Sequence, residues 1–297
     1  MSNEVRYFKS EDFDYALKIT KDELPDPQCF HANETKGGMV SINKVGISKL
    51  DFPLNIGEED AQNVKASITA HVSLDNPEVK GINMSRLVKI IYEKASDHCT
   101  YGTLLDILNT YKERLPAKNA YIELGFDFLL KKRALREEHV NFIYYPVTIK
   151  AENENGIERM WLELTYTYSS ACPCSKELAE YSAQVLNVPA ISHSQRSVAK
   201  IQVELDVNNP LKIAELVELV RTAQPTELLP GVVTRVSEFS FAQLVASTDS
   251  VGFVEDVLRR FYAVLSQESR IKDFTVSVDH QESLNQNHAT GCISKLH

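Results

Sequence analysis

Val64-Lys-Ala-Ser-Ile-Thr-Ala-His-Val-Ser-Leu74 places an apolar residue at every second position (Val64, Ala66, Ile68, Ala70, Val72, Leu74), with mostly polar residues between them. A period of two is the mark of a strand with one buried face. Downstream the spacing changes. Leu87, Val88, Ile90 and Ile91 follow helical periodicity, and Leu104, Leu105, Ile107, Leu108 and Tyr111 predict a second helix ending before Pro116. Upstream, Val40, Ile42, Val45 and Ile47 predict a preceding strand within residues 39–50, and two more strands are predicted at about 119–131 and 140–150.

The order strand, strand, helix, helix, strand, strand then returns in outline. A strand is predicted at 157–168, with Met160, Leu162, Leu164 and Tyr166 on one side, and another at 198–207. Helical tracts follow at 211–223 and 254–265, with a less regular segment between them. A strand at 271–278 and a short one from Ala289 close the chain. Antiparallel strand pairs flanking helix pairs predict an α+β fold, with antiparallel sheets carrying helix pairs on one face. The expected organisation is an N-terminal arm over 1–38, containing Pro25, Pro27 and Gly37-Gly38, a first module over 39–151 and a second over 152–297. Long alternating strands with free edges favour pairing with another subunit, so a homo-oligomer is expected.

At 297 residues, with 43% hydrophobic and 25% charged residues, the composition is that of a globular protein with a substantial core. A net charge of −9 argues against nucleic-acid binding, which needs clustered cations, but leaves room for a small polyanion held by a few local basic groups. No segment approaches the roughly 18 apolar residues of a membrane-spanning helix, and no apolar signal core opens the chain; a cytoplasmic protein without a membrane partner is expected. Five cysteines, Cys29, Cys99, Cys172, Cys174 and Cys292, form an odd and scattered set better read as reduced thiols than as a disulfide framework.

The chemistry-bearing run is Cys172-Pro-Cys174-Ser-Lys176, at the junction of a strand and a helix over about 174–187. Helix N-termini and neighbouring lysines favour thiolates, the form that binds metal. A bare Cys-x-Cys reads equally well as two small residues buried at a corner. His193, in Ser-His-Ser-Gln-Arg-Ser, opens the next strand and can return to the same corner; a Cys, a His and a carboxylate would make an open hydrolytic metal site. Lys176 and Arg196 bring charge suited to phosphate, or are solvated side chains. Glu238 and Glu255 stand out among later carboxylates. Glu255, beside Phe253 and Val254, suits the paired N–H groups of a guanine or pterin edge, or else supplies an acidic first turn to its helix. The polar run from Asp279-His280 through Glu282 to His288 holds a general acid or forms a solvated turn.

Five motifs in order carry a resemblance: Gly81-Ile-Asn-Met-Ser85-Arg86, Cys172-Pro-Cys-Ser-Lys176, His193-Ser-Gln-Arg-Ser197, Phe253-Val-Glu-Asp256 and Glu282-Ser-Leu. From about residue 39 onward the chain resembles the prokaryotic type IB GTP cyclohydrolases. The resemblance implies the tunnelling fold, two modules in one chain and a homotetramer. It implies hydrolysis of GTP to formate and 7,8-dihydroneopterin triphosphate, feeding pterin and folate synthesis, with a divalent metal, Zn, Mn or Fe. Cys172, His193 and Glu238 fall on the family's metal ligands, Cys174 on a second cysteine near the metal, and Glu255 on the glutamate that grips guanine. Ser85, Arg86, Lys176 and Arg196 lie in family motifs and are candidate contacts to substrate. This chain has a longer stretch between Cys172 and His193, Asn83 where His is common, and Leu284-Asn-Gln-Asn-His288 where the family has Ile-His-x-His. The family's proton-donating histidine therefore falls on Asn285, which cannot be an acid, so that His288 takes the role through a shifted register, or His280 does, or the step is handled differently here. Two alternatives stand beside this reading: a related tunnelling-fold enzyme acting on another pterin or purine, and a non-catalytic protein stabilised by metal.

Overall fold

The computed structural model describes residues 40–57, 61–133, 135–136, 138–229, 231, 233–247 and 251–295; the arm expected over 1–38 and Cys29 lie outside them. Eight strands form one antiparallel sheet in sequence order. They are β1 Ile42–Ile56, β2 Gln62–Leu74, β3 Ala120–Arg133, β4 Val140–Glu154, β5 Ile157–Ala171, β6 Ser194–Leu205, β7 Ile271–Glu282 and β8 Ala289–Ser294. Helices α1 (Met84–Ala95) and α2 (Tyr101–Arg114) link β2 to β3. Helix α3 (Pro173–Val185) links β5 to β6, and α4 (Ile213–Ala223), α5 (Arg235–Ala246) and α6 (Val254–Gln267) link β6 to β7.

The alternation seen in sequence becomes two chemically different faces. Along β5, Met160, Leu162, Leu164, Tyr166 and Tyr168 are fully buried, while Trp161, Glu163, Thr165 and Thr167 between them stay half-open. The buried face is covered by helices: α1 packs on β1 and α2, α2 on β3 and β4, α4 on α6 and β5, and α6 on β7 and β8. Phe261 and Leu265 of α6, three to four positions apart, are buried there together with Val257. Area removed from water on this face is the main stabilising term, at about 1.5–3 kcal/mol for each fully buried Leu, Ile or Phe.

The expected sheets form a single sheet running through the middle of the chain. Glu154 pairs with Ile157 across a two-residue turn, and its residues Asn155 and Gly156 both have positive φ, 52° and 86°. Asn-Gly is the pair that a two-residue hairpin of this hand demands. The expected strand at 198–207 begins earlier, at Ser194, and the irregular segment after α4 contains α5. That helix buries only Ser237, so its sequence lacks the apolar stripe that betrays a helix.

Candidate active site

Cys172 is the N-cap of α3, with extended backbone geometry and Pro173 at the first helical position, where a missing N–H costs nothing. The loop after α3 returns to the same corner: the Cys172 N–H donates to the His193 carbonyl at 3.4 Å, and the His193 N–H donates to Ser175 Oγ at 3.2 Å. The Cys172–His193 proximity expected from sequence is therefore built into the backbone. Cys172 is half-buried and Cys174 exposed. Lys176, one turn into α3, pairs with Glu180 at 3.5 Å.

The His193 ring reaches β7, where Nε2 lies 2.8 Å from Glu282 Oε2. The other oxygen of that carboxylate accepts from Gln195 Nε2 at 2.8 Å. Behind it runs a buried polar layer. Ser170 Oγ donates to Gln195 Oε1 at 2.5 Å and lies 2.8 Å from Ser197 Oγ, and Tyr168 Oη sits 2.8 Å from His280 Nε2. Ser170, Gln195, Ser197, Tyr168 and His280 are all buried. Burial lowers the His280 pKa to about 4, against the pull of Glu282, Asp279 and Glu255. The ring is therefore neutral, and the carboxylates of Glu255 and Glu282 both lie near enough to act on it. Burial likewise pushes the Tyr168 hydroxyl well above its ordinary value.

Glu255 is exposed in the first turn of α6, and α6 rests on β7 and β8, so the carboxylate stands above the strands that carry His280 and Glu282. Arg196 and Asp279 point the other way: each occupies a position of the sheet's uncovered face, alternating with buried Gln195, Ser197, Val278 and His280. His288 Nδ1 pairs with Asp279 Oδ1 at 2.9 Å. His288 and His193 thus belong to opposite faces of the sheet.

Glu238 is exposed on α5, which packs on β5. Among the described residues of one chain, no group of three His, Cys, Asp or Glu side chains comes together in a way that could hold a metal ion. Ser85 and Arg86 are exposed at the start of α1, where Ser85 Oγ donates to Asn83 Oδ1 at 2.5 Å. That helix packs on β1 and α2, whereas the Cys172 corner is made by β5, α3, β6 and β7. The fold therefore gathers Cys172, Cys174, Lys176, His193 and Glu282, and it leaves Glu238, Ser85, Arg86, Arg196 and His288 apart. Sequence reasoning assigned no role to Gln195, Ser170 or Tyr168. The available signal was parity, because Tyr168 and Ser170 continue the buried positions of β5 in a strand that is otherwise apolar on that side.

A family model described as "Type I GTP cyclohydrolase folE2" matches residues 31–290. The chain belongs to that family. GTP cyclohydrolase FolE2 of Dinoroseobacter shibae is 38% identical over 279 residues, covering 93% of this chain and 75% of the relative. GTP cyclohydrolase FolE2 of Cereibacter sphaeroides is 36% identical over 288 residues, covering 95% and 79%. Among solved structures, the uricase from Arthrobacter globiformis aligns with a TM-score of 0.51 at 11% identity, covering 88% of this chain and 94% of that one. That likeness is one of fold, and it agrees with the tunnelling fold that the resemblance implied and with the α+β order of strands and helices. No helix of the described part of this folE2-family chain is long and apolar enough to cross a membrane.

Proposed function

We propose that this chain is a GTP cyclohydrolase that opens the imidazole ring of GTP at C8, releasing formate and giving 7,8-dihydroneopterin triphosphate, with the Cys172 corner as its reaction centre. The observation that carries the site assignment is the convergence of Cys172, His193 and Glu282 at the N-terminus of α3. Cys172 and His193, hydrogen-bonded to each other through their backbones, offer a sulfur and an imidazole, ligand types that fit a divalent ion of the Zn, Fe or Mn kind. Such an ion supplies, when bound, the Lewis acidity that makes water a nucleophile at neutral pH.

The remaining work belongs to the side chains. Glu255 grips the guanine edge through paired N–H···O bonds, the strong form of carboxylate recognition. Lys176 and Arg196 meet the triphosphate, with Ser85 and Arg86 as further contacts. His288, its ring held by Asp279, donates the proton to N7. Glu238 completes the ligand set with Cys172 and His193, and Cys174 lies beside it. Because Glu238, His288, Arg196, Ser85 and Arg86 stand apart from the Cys172 corner in one chain, the proposed site is completed across a subunit boundary in a homotetramer of two-module chains, 39–151 and 152–297. The outer strands β1 and β8 offer edges for such assembly.

Incubation of the purified protein with GTP and Zn(II), Mn(II) or Fe(II) tests this reading. Formate and, after oxidation, fluorescent neopterin are the expected products, and their absence with all three metals would sink the proposal.

A further inference from the structure

Resting on the reading of His193 as a metal ligand, we propose that Gln195 and Ser170 are positioning residues that, through Glu282, hold His193 in a single tautomer with Nδ1 free to bind a divalent cation. The hydrogen-bond directions leave one self-consistent arrangement. A carboxylate only accepts, so Glu282 Oε2 accepts a hydrogen bond from His193 Nε2–H at 2.8 Å, and Oε1 accepts one from the Gln195 amide at 2.8 Å. The opposite amide orientation would set two oxygens against each other. With the amide so oriented, Gln195 Oε1 accepts from Ser170 Oγ at 2.5 Å. Ser170 spends its only proton there and accepts from Ser197 Oγ at 2.8 Å. The chain of donors therefore runs from Ser197 through Ser170 and Gln195 to Glu282, where it meets the proton of His193.

Burial makes this arrangement stiff. Ser170 and Ser197 are 0% exposed and Gln195 5%, so water cannot replace a lost partner, and each group left unpaired would carry its full desolvation cost. The neutral imidazole with its proton on Nε2 has its lone pair on Nδ1. A ligand histidine anchored this way loses little freedom on binding, and removing such an outer partner weakens metal affinity about 10–100-fold in comparable sites.

The test is a Zn(II) titration against a chromophoric chelator, made on the metal-free full-length protein and its variants, with thermal midpoints recorded in parallel. Gln195→Leu should raise the Zn(II) Kd about tenfold or more, and Ser170→Ala, one hydrogen bond further from the ring, should raise it by less. The deciding comparison is a double-mutant cycle. In a His193→Ala background Gln195→Leu should add nothing, because its effect runs through that ring. An equal loss in both backgrounds, or unchanged affinity in Gln195→Leu and Ser170→Ala, overturns the positioning role. Unchanged Zn(II) affinity in His193→Ala alone overturns the ligand reading, and the positioning role falls with it. If Gln195→Leu does not fold, the same cycle run with Ser170→Ala decides the matter.

Discussion

Cys172 owes its place to two local facts: a strand ends there, and Pro173 starts a helix without wasting an N–H. Half-buried and outside the packed core, it can be changed without leaving a large cavity. Cys172→Ala should therefore abolish formate release from GTP while moving the thermal midpoint by no more than a surface substitution does, within about 0.5 kcal/mol; a large loss of stability would mark the residue as structural. His288→Asn should remove one limb of the pH–rate profile if His288 is the acid, and an unaltered profile would reject it. His280 belongs to stability instead. Unfolded, the ring titrates near 6.5; folded, burial holds it at about 4. Between those values the unfolded chain binds more protons, so stability that is complete above about pH 6.5 is lost as the pH falls toward 4. Denaturation midpoints measured across that window should fall in the native protein and fall less in His280→Asn.

Helix α2 illustrates how an element is set by its ends. Thr100 Oγ1 accepts from the Thr103 N–H at 3.2 Å, and Thr103 Oγ1 accepts from the Thr100 N–H at 3.1 Å, a reciprocal cap. Thr100→Ala should cost about 1 kcal/mol in chemical denaturation. The strands and the strongly periodic helices were legible because one face of each is apolar, and period alone separates two from 3.6. Helix α5 was not, since it buries one serine and shows no stripe. The buried layer of Tyr168, Ser170, Gln195 and Ser197 was equally hidden, because polar side chains in a strand read as outward-facing until the parity of their neighbours is followed across three paired strands. The Cys172–His193 corner was legible for the opposite reason: a strand, a helix and a strand in immediate succession must return to the same edge.

At the scale of the molecule, the two halves are held together by charge as well as by the sheet. Glu227, with its side chain 1% exposed, receives Lys132 from β3, the Tyr145 hydroxyl from β4 and Arg221 Nε from α4 at 3.1 Å. Burial, and after it the Glu227 carboxylate, pushes the Tyr145 hydroxyl above its usual range. Glu227→Ala would leave Lys132 without this carboxylate and Arg221 with only Glu218 as an anionic partner, and a loss of about 3–5 kcal/mol in urea denaturation is expected; a loss below 1 kcal/mol would show that the cluster relaxes into solvent. None of this was readable beforehand, because the partners are separated by up to 95 residues. The Asn155-Gly156 turn bears on the same question of unity. Among the described residues it is the sole covalent bridge between two four-stranded halves that remain zipped from Val147–Leu164 to Glu154–Ile157. Opening the backbone there removes no hydrogen-bonded strand pair and no core residue, so the two pieces, made as separate polypeptides, should find each other and restore the working enzyme.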